Sequence, residues 1–169
     1  MQKNKALALL RCCLTISIPF VVVLITVIVI RSCNPVIVSG QSMKPTLNNG
    51  ELLFGDKSFT VDDLKRGTII VFKDPEDENN SLIKRIVGFP GETVEITGGR
   101  IHINGELIQD PSSKAGTAAT EPRNLGRPLT LKENEFAVLG DNRSNSFDSR
   151  DFGAINFSDI KYIISRPGL

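Results

Sequence analysis

The sequence of 169 residues has a single histidine and no cysteine beyond residue 33. The lone histidine, His102, leaves few ways to activate a nucleophile with an imidazole. It stands in Ile101-His102-Ile103, just before an Asn104-Gly105 hairpin turn. Strand alternation puts its side chain on the face opposite the two isoleucines, toward solvent. A Ser-His-Asp triad is therefore not expected. The cysteines, Cys12, Cys13 and Cys33, lie in or beside one apolar run. They show neither metal-ligand spacing nor a disulfide framework, and read as small apolar residues near a membrane. Acidic residues are missing from residues 1–31, which carry Lys3, Lys5, Arg11 and Arg31. The remainder holds 16 basic and 19 acidic residues with no basic stripe, which argues against nucleic acid as a partner. Internal repeats are lacking too.

What is present begins with a long uncharged run. The 19 residues between Arg11 and Arg31 extend about 28 Å as a helix, close to the hydrocarbon thickness of a bilayer. Val21 to Ile30 is almost wholly β-branched, which weakens a helix in water, but lipid offers the backbone no other partner. A cleavable signal peptide is the competing reading. Its apolar core is shorter, about 7–15 residues, and Arg31-Ser32-Cys33-Asn34-Pro35 is a poor cleavage site. The expectation is an anchor over residues 12–31. The excess of Lys and Arg before it places residues 1–11 in the cytoplasm and residues 32–169 outside the cell membrane.

Beyond the anchor, short strand-like runs alternate with turn signals, the pattern of a mostly β, antiparallel domain. Strands are expected at Glu51–Lys57, Thr68–Lys73, Leu82–Gly88, Thr93–Thr97, Arg100–Asn104, Glu135–Leu139 and Ile160–Arg166. Thr60-Val61-Asp62-Asp63 reads as the start of one short helical turn. Residues 110–128 are rich in Pro, Gly, Ser, Thr and Ala and read as a mobile excursion. The Gly140–Gly153 stretch reads as a polar loop.

Ser42 lies between Gly40 and Pro45, on backbone bent enough to present its N–H groups to a ligand. A serine hydroxyl needs a base to act as a nucleophile at neutral pH. Lys84 shares a strand face with Leu82 and Ile86. Burial there disfavours its charged form and lowers its pKa, making it able to take the serine proton. An edge lysine with its head in water fits the same strand pattern, and Arg85 beside it indicates that charge is tolerated there. The Gly140–Arg150 loop offers polar support. Asp141, Arg143, Asp148 and Arg150 alternate in sign and can pair internally. Ser144, Ser146 and Ser149 supply hydroxyls that can hold a lysine amine.

Three stretches stand in order behind one membrane span: Ser-Met-Lys-Pro-Thr-Leu at 42–47, Lys-Arg-Ile-Val-Gly-Phe-Pro-Gly-Glu at 84–92, and Gly-Asp-Asn-Arg-Ser-Asn-Ser-Phe-Asp-Ser-Arg at 140–150. Together they closely resemble bacterial type I signal peptidase, the leader peptidases of peptidase family S26. The resemblance implies a domain of coiled antiparallel β-sheets. It makes Ser42 the acyl-enzyme nucleophile, Lys84 the general base and Ser146 the residue that orients the lysine amine. Asp148 and Arg150 become a structural pair beside the site, with Asp141 and Arg143 supporting the loop. The Ser42 backbone N–H becomes an oxyanion donor. Some members add a serine hydroxyl two residues before the nucleophile. Here that position is Gly40, which leaves a backbone or water donor.

The implied activity is serine endopeptidase cleavage of secreted preproteins after Ala-X-Ala-type sites, by a Ser-Lys dyad and without a metal or organic cofactor. Val36–Gly40 and Leu82–Lys84 would offer strand edges to an extended peptide. Val36, Val38, Gly40, Met43 and Ile83 are the expected substrate contacts. Preproteins and membrane lipid are the expected partners, and the protein is expected to be a monomer. Two other readings compete. A self-cleaving repressor-type protein would carry a DNA-binding domain, where this chain has an anchor. A silent membrane-tethered binding domain would make the Ser42/Lys84 pairing incidental.

Overall fold

The computed structural model of the chain describes residues 18–24, 26, 34–112 and 125–164. The chain divides into residues 1–34 and 35–169. In the first unit, residues 18–24 are helical. The rest of the span expected over 12–31, except residue 26, lies outside the described residues, as do Cys12, Cys13 and Cys33. Among the described residues no helix is long and apolar enough to cross a membrane.

Among its described residues the second unit has eleven strands: β1 Pro35–Ile37, β2 Leu52–Asp56, β3 Ile69–Lys73, β4 Ser81–Gly88, β5 Thr93–Thr97, β6 Arg100–Ile103, β7 Glu106–Leu107, β8 Leu129–Thr130, β9 Glu135–Leu139, β10 Ile155–Asn156 and β11 Ile160–Ile164. They form a seven-stranded sheet in the order β1-β2-β11-β3-β4-β9-β10 and a four-stranded sheet in the order β7-β6-β5-β8. Every pairing is antiparallel. The expected mostly β antiparallel fold is therefore present.

The small sheet follows from period two. Val94, Ile96, Ile101 and Ile103 are buried in one cluster with Val87, Leu131 and Leu139, while Glu95 and His102 alternate onto the other face. Asn104 and Gly105 connect β6 to β7 with φ of 53° and 82°, the positive values that a two-residue hairpin turn of this twist requires. The central strands of the large sheet lack such alternation because both faces are covered. In β3, Ile70 and Phe72 join a cluster with Ile86, Phe136 and Val138. Ile69 and Val71 pack on the other side with Val38, Met43, Leu47, Leu53 and Ile164.

Strands β7, β8 and β10 were not expected: two residues each carry no readable period. The loop expected over 140–153 contains one helical turn, α1, at Ser149–Phe152, with Asp148 as its N-cap. The expected turn at 60–63 is a 3-10 turn over Val61–Asp63, closed by the Thr60/Asp63 capping box. The excursion at 110–128 is described only at its ends, since residues 113–124 lie outside the described residues. His102 differs from its expected solvent position. It is half-buried, and its Nδ1 is sealed from solvent.

Candidate active site

Ser42 sits in a turn that follows β1. The turn is closed by Lys44 N–H to the Gln41 carbonyl (3.1 Å) and Leu47 N–H to the Met43 carbonyl (2.9 Å). Met43 and Leu47 are buried in the core beside β3 and pin it down, leaving Ser42 half-buried. Asn142 holds the turn from the other side. Its backbone N–H donates to the Ser42 carbonyl (2.9 Å), and its Nδ2 donates to the Gln41 carbonyl (3.1 Å). Gly40 enters the turn with φ of +95°, a conformation that strains any residue with a side chain. Its N–H donates to Asn49 Oδ1 (2.8 Å).

Lys84 lies across from Ile70 in the β3–β4 ladder, on the face of β4 that also carries Leu82 and Ile86. It is 3% exposed. Its Nζ donates to Ser42 Oγ at 2.9 Å and to the Ile83 carbonyl at 3.1 Å. Burial lowers its pKa from the ordinary 10.5 to about 8, against the opposing pull of the Asp148 and Asp74 charges. The amine is thus poised close to neutrality, within bonding distance of a hydroxyl 42 residues away in sequence.

The Gly140–Arg150 stretch surrounds this pair, but its charges do not pair as their alternation suggested. Only Asp148 and Arg150 meet within the loop: Arg150 Nε and Nη2 donate to the two Asp148 oxygens at 2.8 and 2.7 Å. Burial pushes the Asp148 carboxyl up. Arg150, the Gly140 N–H and the Ser146 hydroxyl more than offset this, so its pKa lies below the ordinary value. Asp141 turns instead to β4. Its fully buried carboxylate accepts from Arg85 Nε (2.8 Å), Arg85 Nη2 (2.7 Å) and Thr46 Oγ1 (2.5 Å). Arg143 reaches Asp110 at the start of the excursion and donates Nε to the Gly140 carbonyl (2.9 Å). Arg85, read from the sequence as a tolerated charge, is a buried cation paired bidentately with Asp141.

Ser146 is buried, and its hydroxyl helps to stabilise the Asp148 carboxylate. It also packs close to Ser42 through Gly140. A Cβ placed on Gly140 would lie 2.6 Å from Ser146 Cβ and 2.7 Å from the Ser42 carbonyl oxygen. Ser144 is exposed and bonds Asn142 Oδ1 (3.2 Å). Ser149 Oγ accepts the Val138 N–H (2.8 Å). The expected substrate contacts Val36, Val38, Met43 and Ile83 meet in one apolar cluster, in which Val38 and Met43 are buried and Val36 and Ile83 half-covered. Sequence reasoning passed over Thr46, Arg85, Asp110 and Asn142. Thr46, Arg85 and Asn142 lie inside the three stretches quoted above, and Arg85 also stood out as a charge inside a run otherwise rich in aliphatic residues.

A half-buried serine within hydrogen-bond reach of a buried lysine, on an antiparallel β scaffold, is an arrangement that suits a serine hydrolase. Comparison with known proteins narrows this. Residues 11–165 match the family model described as "Signal peptidase, peptidase S26". Signal peptidase I P of Bacillus subtilis subsp. natto is 35% identical, over 82% of this chain and 80% of its own. Signal peptidase I of Bacillus licheniformis is 36% identical over 69% of this chain and 66% of its own. That of Leptolyngbya laminosa is 36% identical over 73% and 62%. Among solved structures, a signal peptidase I from Enterococcus faecalis V583 superposes with a TM-score of 0.52 at 29% identity, covering 63% of this chain and all of that one. The chain belongs to the signal peptidase family, peptidase S26, and is a serine peptidase.

Proposed function

We propose that this chain is a membrane-bound endopeptidase that removes N-terminal signal peptides from secreted preproteins after Ala-X-Ala-type sites, with Ser42 as nucleophile and Lys84 as base. The observation that carries the reading is the 2.9 Å contact between Lys84 Nζ and Ser42 Oγ, made by a lysine whose pKa burial has brought to about 8. Neutral Lys84 takes the Ser42 proton as Oγ attacks the scissile carbonyl. The Ser42 N–H donates to the oxyanion; Gly40 has no hydroxyl to add a second side-chain donor. Lys84 then passes its proton to the departing amine, leaving an acyl-enzyme. A water deprotonated by Lys84 hydrolyses the ester. Ser146 and Asp148 steady the amine's surroundings, and no metal or organic cofactor enters.

An extended substrate adds as a strand between two backbone edges. β1 is one of the two outer strands of the large sheet. β9 pairs with β4 only between Arg85 and Gly88, which leaves residues 81–84 without that neighbour. Val36 and Ile83 give the apolar contact that favours small residues before the cut. The segment 12–31, uncharged up to Arg31, anchors the chain, residues 1–11 remain cytoplasmic, and a monomeric peptidase domain works on the outer face of the plasma membrane. The test is cleavage of a preprotein with an Ala-X-Ala site by the full chain in detergent, beside Ser42→Ala and Lys84→Ala. Cleavage by the wild type after the second Ala, with both variants folded and inactive, is expected. A wild type inert on several such substrates refutes the reading. Digestion of the domain from the cytoplasmic side of inverted vesicles refutes the orientation.

A further inference from the structure

Asp110 lies outside the three motifs and outside both sheets, yet it is the acid that Arg143 engages. Arg143 Nη1 and Nη2 donate to its two oxygens at 2.5 and 2.7 Å. Ser112 folds back on the same carboxylate with its N–H (2.8 Å) and its hydroxyl (2.7 Å), and Ser112 Oγ also accepts Arg143 Nη2 (3.0 Å). The Arg143 side chain is 5% exposed. A cation so removed from water keeps its place only if its charge is met by a partner. Burial pushes the Asp110 carboxyl up, but the Arg143 and Ser112 bonds more than offset this, so its pKa lies below the ordinary carboxylate value.

What Arg143 holds is the Gly140 peptide. Its Nε bonds the Gly140 carbonyl (2.9 Å), while the Gly140 N–H bonds Asp148 Oδ2 (3.0 Å). Gly140 is the spacer between Ser146 and the Ser42 carbonyl, with no room for even a methyl group. Two residues on, the Asn142 N–H holds that same Ser42 carbonyl. A shift of Gly140 therefore passes directly to Ser42.

We propose that Asp110 is a positioning residue for the peptidase reaction: through Arg143 it holds the Gly140 peptide, and so keeps Ser42 Oγ at bonding distance from Lys84. The proposal rests on the roles given above to Ser42 and Lys84. Asp110 touches neither the nucleophile nor the base, and its effect falls on the chemical step rather than on substrate affinity.

The test compares wild type, Asp110→Asn, Ser112→Ala and Ser42→Ala as full chains in detergent. Three quantities are read: kcat and KM on a preprotein, the rate at which a small fluorophosphonate phosphonylates Ser42 Oγ with loss of fluoride, and the thermal unfolding midpoint. The fluorophosphonate is too small to need the excursion for binding. Asp110→Asn is expected to lower kcat by roughly 10- to 100-fold, the loss typical of a misplaced catalytic group. KM is expected to change by less than about threefold, and the fluorophosphonate rate to fall in step with kcat. Ser112→Ala shows the same pattern at smaller amplitude, and it carries the test if Asp110→Asn does not fold. Unchanged kcat in the folded variant overturns the proposal. So does a raised KM with normal fluorophosphonate reactivity, which would make Asp110 a support for the substrate surface alone. If the wild type is as inert as Ser42→Ala, the assignment of Ser42 falls and this proposal with it. If the wild type cuts and the Asp110→Asn protein matches it, only the positioning role falls.

Discussion

Replacing Lys84 by methionine removes an ammonium group that the fold keeps out of water, and its effect on stability must depend on pH in one direction. Burial lowers the Lys84 pKa from 10.5 to about 8. That gap of about 2.5 units, at 1.36 kcal/mol per unit, amounts to ~3 kcal/mol carried against the folded state. Below pH 8 the lysine is protonated in both the folded and the unfolded chain, and the whole penalty is present. Between pH 8 and 10.5 the folded lysine has lost its proton while the unfolded one retains it. The unfolded state then binds more protons, so wild-type stability rises with pH across this window. Methionine has no such dependence. The lost bonds to Ser42 and Ile83 cost about 1 kcal/mol each and lower the variant's curve without giving it a slope. Urea unfolding of both proteins from about pH 7 to about pH 10 should show the variant's relative stability falling by about 3 kcal/mol toward the alkaline end. The variant should also be inactive. A flat difference would mean that Lys84 ionises as an ordinary lysine and supplies no base near neutrality. A variant that still cuts would place the proton acceptor elsewhere, with His102 the sole imidazole to examine.

Three further outcomes follow from the same contacts. Arg85→Met takes two donors from the buried Asp141 carboxylate. It should cost about 3–5 kcal/mol in denaturant unfolding, and a loss under about 1 kcal/mol would show that Asp141 is solvated. Gly140→Ala places a methyl 2.7 Å from the Ser42 carbonyl oxygen. It should cost about 1–3 kcal/mol and reduce kcat, and wild-type rates would show that the Ser42 turn moves freely. Asp148→Asn removes a negative charge that holds the Lys84 pKa up. The acid limb of the pH–rate profile should therefore move to lower pH, and an upward shift would contradict the electrostatics.

The sequence by itself determined the local parts of this protein. Alternation in Val94–Thr97 and Arg100–Ile103 specifies which face of the small sheet is apolar. Asn104-Gly105 specifies the turn beyond it, since few residues adopt positive φ there. Thr60 and Asp63 specify a helical turn through one short-range capping exchange. The runs in β3, β4 and β9 were legible as strands from their composition, although burial on both faces erased their period. Ser42 and Lys84 were legible as a candidate nucleophile and a candidate base, and the structure sets them 2.9 Å apart. The strand pattern could not choose between an edge lysine in water and one sealed against Ile70.

That choice, and the partner of each ion, belonged to the tertiary structure. The signs along Asp141, Arg143, Asp148 and Arg150 allow internal pairing, yet only Asp148 and Arg150 meet. Asp141 takes Arg85 from β4, and Arg143 takes Asp110 from beyond β7. The reason is physical. Periodicity and turn chemistry act over a few residues, whereas Coulomb and hydrogen-bond energies depend on distances set by ladder register. The β4–β9 ladder pairs Arg85 with Leu139, two residues before Asp141, and so brings the cation to that carboxylate. The β3–β4 ladder sets Lys84 opposite Ile70, and packing of Met43 and Leu47 beside β3 delivers the Ser42 turn to the amine.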